Sequence, residues 1–176
     1  MQKLNSQSIT LTTLCEDDLE LLRNWRNTPQ ISGNMEFRGY ITSEEQINWF
    51  KGLYNSTNYY FIINYQECKI GLIHLNKFDD REKSAHAGLF IAEKEFTGTG
   101  ISLGASLLIL SYAFKELNLQ IVYAKIKRDN LSALQYNMGL GFVLEEHLND
   151  AFSLYKITKQ AFNNNKPLLV KLAQVI

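Results

Sequence analysis

The sequence predicts one α/β domain built on a mixed, mostly antiparallel sheet flanked by helices, and three observations carry that prediction. Apolar residues recur with a helical period after the first strand-like segment, then with a period of two in three consecutive segments. A glycine-rich loop next opens a helix that is apolar nearly all round, and strand-like and helix-like segments follow it. The chain has 176 residues, enough for a sizeable core and short for two domains, so residues 1–176 read as a single unit.

The segment SITLTTL (8–14) alternates and reads as the first strand. Thr13 and Glu16 stand at capping-box spacing before EDDLELLRNWRN (16–27), a helix that must stop before Pro29. Thr42 with Glu45, and Ser43 with Gln46, mark a second start ahead of EQINWFKGLY (45–54), where Ile47, Phe50 and Leu53 share a face. NYYFIINY (58–65) and KIGLIHLNKF (69–78) form a hairpin about a short polar turn, and SAHAGLFIA (84–92) is a third strand. In ISLGASLLILSYAFKEL (101–117), Leu103, Leu107, Leu110, Phe114 and Leu117 make a stripe on a helix that should be buried. QIVYAKI (120–126) is the next strand, and NLSALQYNMG is a short helix beginning at an Asn cap. FVLEEHL and FSLYKIT are the last two strands, and residues 163–176 read as a polar tail.

Composition narrows the partner. With 45% apolar and 20% charged residues the chain reads as a soluble globular protein. Lys plus Arg and Asp plus Glu both count 18, so no basic excess draws in nucleic acid or an anionic membrane, and a small molecule is the expected partner. Cys15 and Cys68 make neither a disulfide framework nor a metal site and read as buried thiols. The polar start MQKLNSQSIT has no signal-peptide core, and no stretch approaches a membrane span, so a cytoplasmic protein is expected.

The stretch EFTGTGISLGASLL (95–108) carries the first functional signal. A strand ending in a glycine-rich loop that opens a helix presents backbone N–H groups and the positive end of a helix dipole, both suited to a phosphate. Glycine lets the backbone approach closely. No Lys-Ser/Thr pair follows as in a P-loop, and three strands precede the loop where a Rossmann unit has one.

Two helices, a three-strand meander, the loop-helix, a strand, then Asn130 with Ala133 and the Gly141-Phe142 pair resemble the GNAT acetyltransferase superfamily from about residue 8 to 157. The resemblance implies a GNAT-like fold, acetyl-CoA as co-substrate, no metal, and direct transfer to an amine. It places the coenzyme pyrophosphate on Thr97, Gly98, Thr99, Gly100, Ile101 and Ser102, where Thr97 and Ser102 depart from the family's usual residues. The register from Glu95 to Gly100 keeps both small positions and stays open. The resemblance also implies that Asn130 borders the thioester arm and that backbone N–H groups around Phe90 and Ile91 serve the oxyanion.

Transfer to an amine needs a neutral nucleophile, donors for the oxyanion and a proton for the leaving thiolate. Many relatives have a glutamate where this chain has His86, two residues before Gly88; an imidazole with an ordinary pKa of about 6.5 suits a base there. His74 on the neighbouring strand converges with it or serves the structure. The family's tyrosine position is Asn137 here, and Tyr136 stands one residue earlier, about 100° around the helix. Either Tyr136 turns toward the sulfur, or Asn137 contacts the coenzyme and water supplies the proton, since an amide is no acid.

The first half, with RNWRN (23–27), Met35 and ITSEEQINWF (41–50), resembles the N-acetyltransferases of the pseudaminic-acid pathway, which act on a UDP-linked 4-amino-4,6-dideoxy sugar. Gln46 stands where that branch often has histidine. The resemblance makes Trp25, Arg26, Asn27, Tyr40, Gln46 and His74 candidates for the acceptor. Arg26 suits a diphosphate, and Trp25, Tyr40 and Trp49 suit a uracil or sugar face, or serve as core. Acetylation of a protein N-terminus of ribosomal type, of a small metabolite amine, and an acyl-CoA-binding module without turnover are the alternatives. The last two strands leave an edge on which a homodimer could form.

Overall fold

The two changes of hydrophobic period become an eight-stranded sheet with helices on both faces. The computed structural model describes residues 3–6, 8–53 and 57–174. Its strands are β1 (Lys3–Ser6), β2 (Ile9–Thr13), β3 (Tyr59–Tyr65), β4 (Cys68–Asp79), β5 (Ser84–Ile91), β6 (Ile121–Lys127), β7 (Val143–His147) and β8 (Phe152–Thr158). The helices are α1 (Leu19–Asn27), α2 (Pro29–Ser32), α3 (Ser43–Leu53), α4 (Ile101–Ser111), α5 (Leu131–Leu140) and α6 (Lys159–Gln174). The sheet runs β1-β2-β3-β4-β5-β6-β8-β7. Neighbours are antiparallel except β5 and β6, which are parallel and joined through α4.

Two cores sit on opposite faces. Leu19, Leu22 and Trp25 of α1 and Phe50 of α3 pack on Ile62 and Leu72. On the other face α4 is buried almost all round, with Ala105, Ile109 and Leu110 at 0–2% exposure, because the sheet lies below it and α6 beside it. The end of α4 widens into a π turn over Tyr112–Glu116.

Local chemistry sets the helix starts. Thr42 and Glu45 form the expected reciprocal box: Glu45 N–H donates to Thr42 Oγ1 at 3.2 Å and Thr42 N–H to Glu45 Oε2 at 2.8 Å. At α1 the box moves two residues along from Thr13 and Glu16. Cys15 N–H donates to Asp18 Oδ2 at 3.0 Å, and a 3-10 turn over Glu16–Asp18 leads into the helix. On α3 the inward row is Gln46 and Phe50 (2% and 7% exposed), whereas Ile47, expected on that face, is 43% exposed. Tyr54, the last residue of the expected helix, lies outside the described residues.

The C-terminal reading needs the largest correction. Residues 163–174, expected as a polar tail, belong to α6, which starts at Thr158 Oγ1 accepting from Ala161 N–H at 3.1 Å. Phe162 and Leu169 are buried at 0% and 4%, and Phe162 meets Phe114 of the π turn at 5.3 Å. The thiols also differ from expectation: Cys15 is half-buried and Cys68 exposed.

Candidate active site

The parallel pair β5 and β6 stays together for three rungs only, ending at His86 beside Tyr123. Beyond that rung β5 keeps its bonds to β4 and β6 its bonds to β8, so the two strands diverge. A cleft of about 740 Å³ occupies the wedge, bordered by Gly88–Ile91 on one side and Ala124–Lys127 on the other.

The glycine loop closes one end. Gly98 sits at φ +77° with open space where a Cβ would point, so the loop turns sharply and a ligand can approach its backbone. Thr99 Oγ1 donates to Phe96 O at 2.7 Å and fixes the turn. Helix α4 begins at Gly100 with no side chain capping it, leaving the first-turn N–H groups turned toward the cleft end. Thr97, Gly98, Thr99, Gly100 and Ser102 border the cleft, and Ile101 turns into the core at 7% exposure. This donor set fits a pyrophosphate.

Across from the loop, Asn130 caps α5 by accepting from Ala133 N–H at 3.1 Å, and it borders the cleft. Asn137 borders it as well, its Nδ2 donating to Ala133 O at 2.8 Å. Tyr136 lines the cleft, but its hydroxyl donates to Ser102 O at 2.7 Å and meets Ser106 Oγ at 2.7 Å. Burial pushes its pKa well above the ordinary tyrosine value. The hydroxyl ties α5 to α4.

On the α1 face of the sheet, His74 stands opposite Gly88 and His86 opposite Asn76. The His74 ring stacks on Tyr60 at 5.1 Å, and Asn76 Nδ2 donates to Tyr60 OH at 3.1 Å. Solvent touches part of His74, yet protein surrounds the ring, and burial, reinforced by Arg26, His86 and Lys77, pushes its pKa down to about 4. His86 packs on the Tyr123 ring at 5.4 Å. Burial lowers its pKa, Lys77 and Lys125 add to that, and Glu82 opposes them. Both imidazoles are thus held neutral near pH 7.

The remaining acceptor candidates divide. Trp25 is core at 6% exposure, meets Phe90 edge-on, and donates Nε1–H to Glu93 Oε1 at 3.1 Å. Asn27 pins the segment after α2 through two bonds with the Ile41 backbone, 2.8 and 2.9 Å. Tyr40 is 69% exposed and its OH accepts from Arg23 at 2.9 Å. Gln46 is buried beside a second pocket between α1 and α3, apart from the wedge. Arg26 is half-buried within electrostatic reach of Tyr60 and His74, and burial lowers its pKa. Among the described residues its guanidinium has no hydrogen-bond or ion-pair partner. Sequence reasoning missed Tyr60, Asn76, Tyr123 and Lys125, which only the strand register brings together. Burial and the bond from Cys15 Sγ to Asp18 Oδ2 at 3.2 Å raise the thiol's pKa, which disfavours the thiolate.

A splayed parallel pair beside an uncapped glycine loop is the frame that the resemblance to the GNAT acetyltransferases implies for a coenzyme A thioester. Residues 8–143 match the acetyltransferase (GNAT) domain, and the chain belongs to that family. It is an N-acetyltransferase with acetyl-CoA as co-substrate. The acetyltransferase PseH of Campylobacter jejuni is 30% identical over 144 residues, 81% of this chain and 88% of that one. The spermidine N(1)-acetyltransferase of Vibrio cholerae is 29% identical over 153 residues, 85% of this chain and 86% of that one. A crystal structure of the spermidine N-acetyltransferase from Vibrio cholerae, with CoA and spermine, shares the fold at a TM-score of 0.83 and 23% identity, covering 90% of this chain and 100% of that one. Among the described residues no helix is long and apolar enough to cross a membrane, and no three His, Cys, Asp or Glu side chains gather as for a metal.

Proposed function

We propose that the acceptor is the amine of a nucleotide-linked amino sugar, of the UDP-4-amino-4,6-dideoxy type, acetylated directly without an acyl-enzyme in the cytoplasm. The observation that carries this reading is Arg26, a half-buried guanidinium with no counter-ion among the described residues, beside His74 and Tyr60. A buried unpaired cation is costly and calls for an anion, which a diphosphate supplies. The carboxylates around this face are engaged: Glu36 with Lys125, Glu82 with Tyr123 and Ser84, Glu93 with Trp25. A polyamine would meet cations here instead of free carboxylates. The likeness to PseH agrees with the first-half resemblance to the pseudaminic-acid branch.

When bound, acetyl-CoA supplies the activated acetyl group. His86, neutral at pH 7, accepts the amine proton directly or through a water. The β5 backbone at Phe90 and Ile91 offers donors to the carbonyl oxygen. Tyr136 keeps its proton on Ser102 O, so water bonded at Asn137 protonates the thiolate. Strand β7, exposed at each of its residues, is the edge through which a second copy would pair, and the mass in solution tests that.

The test follows thiol release from acetyl-CoA with a synthetic UDP-4-amino-4,6-dideoxy-N-acetylhexosamine and, separately, with spermidine. Release with the sugar that requires its free 4-amine, and none with spermidine, is the expected result. Release with spermidine alone sinks the reading.

A further inference from the structure

Lys125 stands on β6 two residues beyond the last rung with β5, so it is level with Gly88 across the splay. Alternation puts its side chain on the face of Tyr123 and His86. It borders the cleft, and its ammonium lies over the Phe152 ring at 4.9 Å. The same ammonium bonds Glu36 Oε1 at 2.6 Å, although 89 residues separate the two. Glu36 belongs to the segment between α2 and α3, whose Asn34 and Met35 also border the cleft. The Glu36 side chain is 67% exposed, that of Lys125 23%.

We propose that Lys125 is an acceptor-binding residue that receives a phosphoryl oxygen, with Glu36 holding the ammonium in the acceptor's place until it arrives. This rests on the reading that the acceptor is nucleotide-linked. A phosphoryl oxygen accepts the same charge-assisted hydrogen bond as a carboxylate and brings more negative charge to it. The exposed Lys–Glu pair is weak, so the exchange loses little and Glu36 returns to water. Its segment stays anchored through Asn27 and Ile41 when the carboxylate leaves. Arg26 on the His74 side and Lys125 on the β6 side then stand as two cations on either side of the strand that carries His86. Such a site admits an anionic amine and repels a polycation.

The test titrates UDP by calorimetry into protein saturated with CoA, so that the coenzyme's own pyrophosphate cradle is filled. Lys125→Met is expected to weaken UDP about tenfold, the loss of one charge-assisted bond. Glu36→Gln removes the competitor and is expected to tighten UDP. Lys125→Gln, which keeps a polar stem over Phe152, repeats the comparison if Lys125→Met fails to fold. Absence of UDP binding to the native protein, an unchanged affinity in the Lys125 variants, or weakening by Glu36→Gln overturns the assignment. The two readings fail separately. Acetylation of the UDP-sugar with UDP affinity unmoved by Lys125→Met removes Lys125 and keeps the acceptor. A fall in UDP affinity without any acetylation of the UDP-sugar keeps Lys125 and removes the amino sugar.

Discussion

The imidazole of His74 lies against Gly88 so closely that a Cβ at residue 88 would stand 2.7 Å from its Cε1 and 3.1 Å from its Nε2. Tyr60 stacks on the ring and limits its room to yield. Gly88→Ala is therefore expected to cost about 1–3 kcal/mol of stability, the usual range for overpacking. Turnover should fall as well, because β5 shifts where the cleft opens. Melting curves of Gly88→Ala, His74→Ala and the double variant measure the coupling. Equal losses with and without the imidazole would show that the contact is not the cause.

With His86 as the proposed base, its depressed pKa is expected to set the acid side of the pH profile. Burial, Lys77 and Lys125 hold it below the ordinary 6.5, so the base becomes protonated, and activity is lost, only as pH falls below that value. Removing a cation with Lys77→Met should move the limb upward. His86→Ala should abolish the limb and cost about a hundredfold in kcat/KM, typical of a lost general base. A limb that persists unchanged in His86→Ala excludes histidine as its source.

Tyr136→Phe separates an acid from a tie. The hydroxyl bonds Ser102 O and Ser106 Oγ, so its loss should lower stability by about 1 kcal/mol. The expected change in kcat is less than about threefold, whereas a lost acid would cost about a hundredfold. Steady-state kinetics beside a melting curve decide between them.

Gly98→Ala probes the cradle. The space around residue 98 is open, so crowding is no objection, but φ +77° costs an L-residue about 1–2 kcal/mol. The loop should relax and the KM for acetyl-CoA rise while the acceptor KM stays put. Equal effects on both substrates would mean that the loop shapes the whole cleft.

Asp18 anchors α1 to β4. Burial alone would raise its pKa, but hydrogen bonds from Lys69 at 2.7 Å and from Cys15 prevail and hold it below 3.8. A carboxylate depressed in the folded state stabilises the protein above its unfolded pKa, and that stability is lost as pH falls through the folded value. Asp18→Asn should destabilise the protein at pH 7 and flatten the pH dependence of denaturant midpoints below pH 4. Parallel curves for the two proteins would assign acid sensitivity elsewhere.

What the sequence disclosed was local chemistry. Thr42 with Glu45, Asn130 before α5 and the glycines at 98 and 100 announce themselves within a few residues. The face proposed for the acceptor was hidden, because His74 over Gly88 and Lys125 on Glu36 depend on strand register and on a loop from a distant part of the chain. Helix α6 was hidden for another reason. Three asparagines and Pro167 weaken its intrinsic propensity, and burial of Phe162 and Leu169 outweighs them. Thr158, which caps its first turn, was the available signal. Gln46 shows the reverse case: its place in a pattern suggested an acceptor contact, and the fold sets it, 2% exposed, beside the pocket between α1 and α3.

The parting of β5 from β6 also divides labour between main chain and side chains. From Ala87 to Ile91 one side of β5 is paired with β4 and the other is turned to the wedge, an edge inside the sheet rather than at its rim. A ligand lying along such an edge is recognised through amide groups that every residue type supplies. The residues proposed for the acceptor, Arg26, His74, His86 and Lys125, are by contrast replaceable side chains carried on α1, β4, β5 and β6. On the proposed assignment, donor recognition and acceptor choice change independently, and one scaffold can be retuned from amine to amine without relearning its thioester.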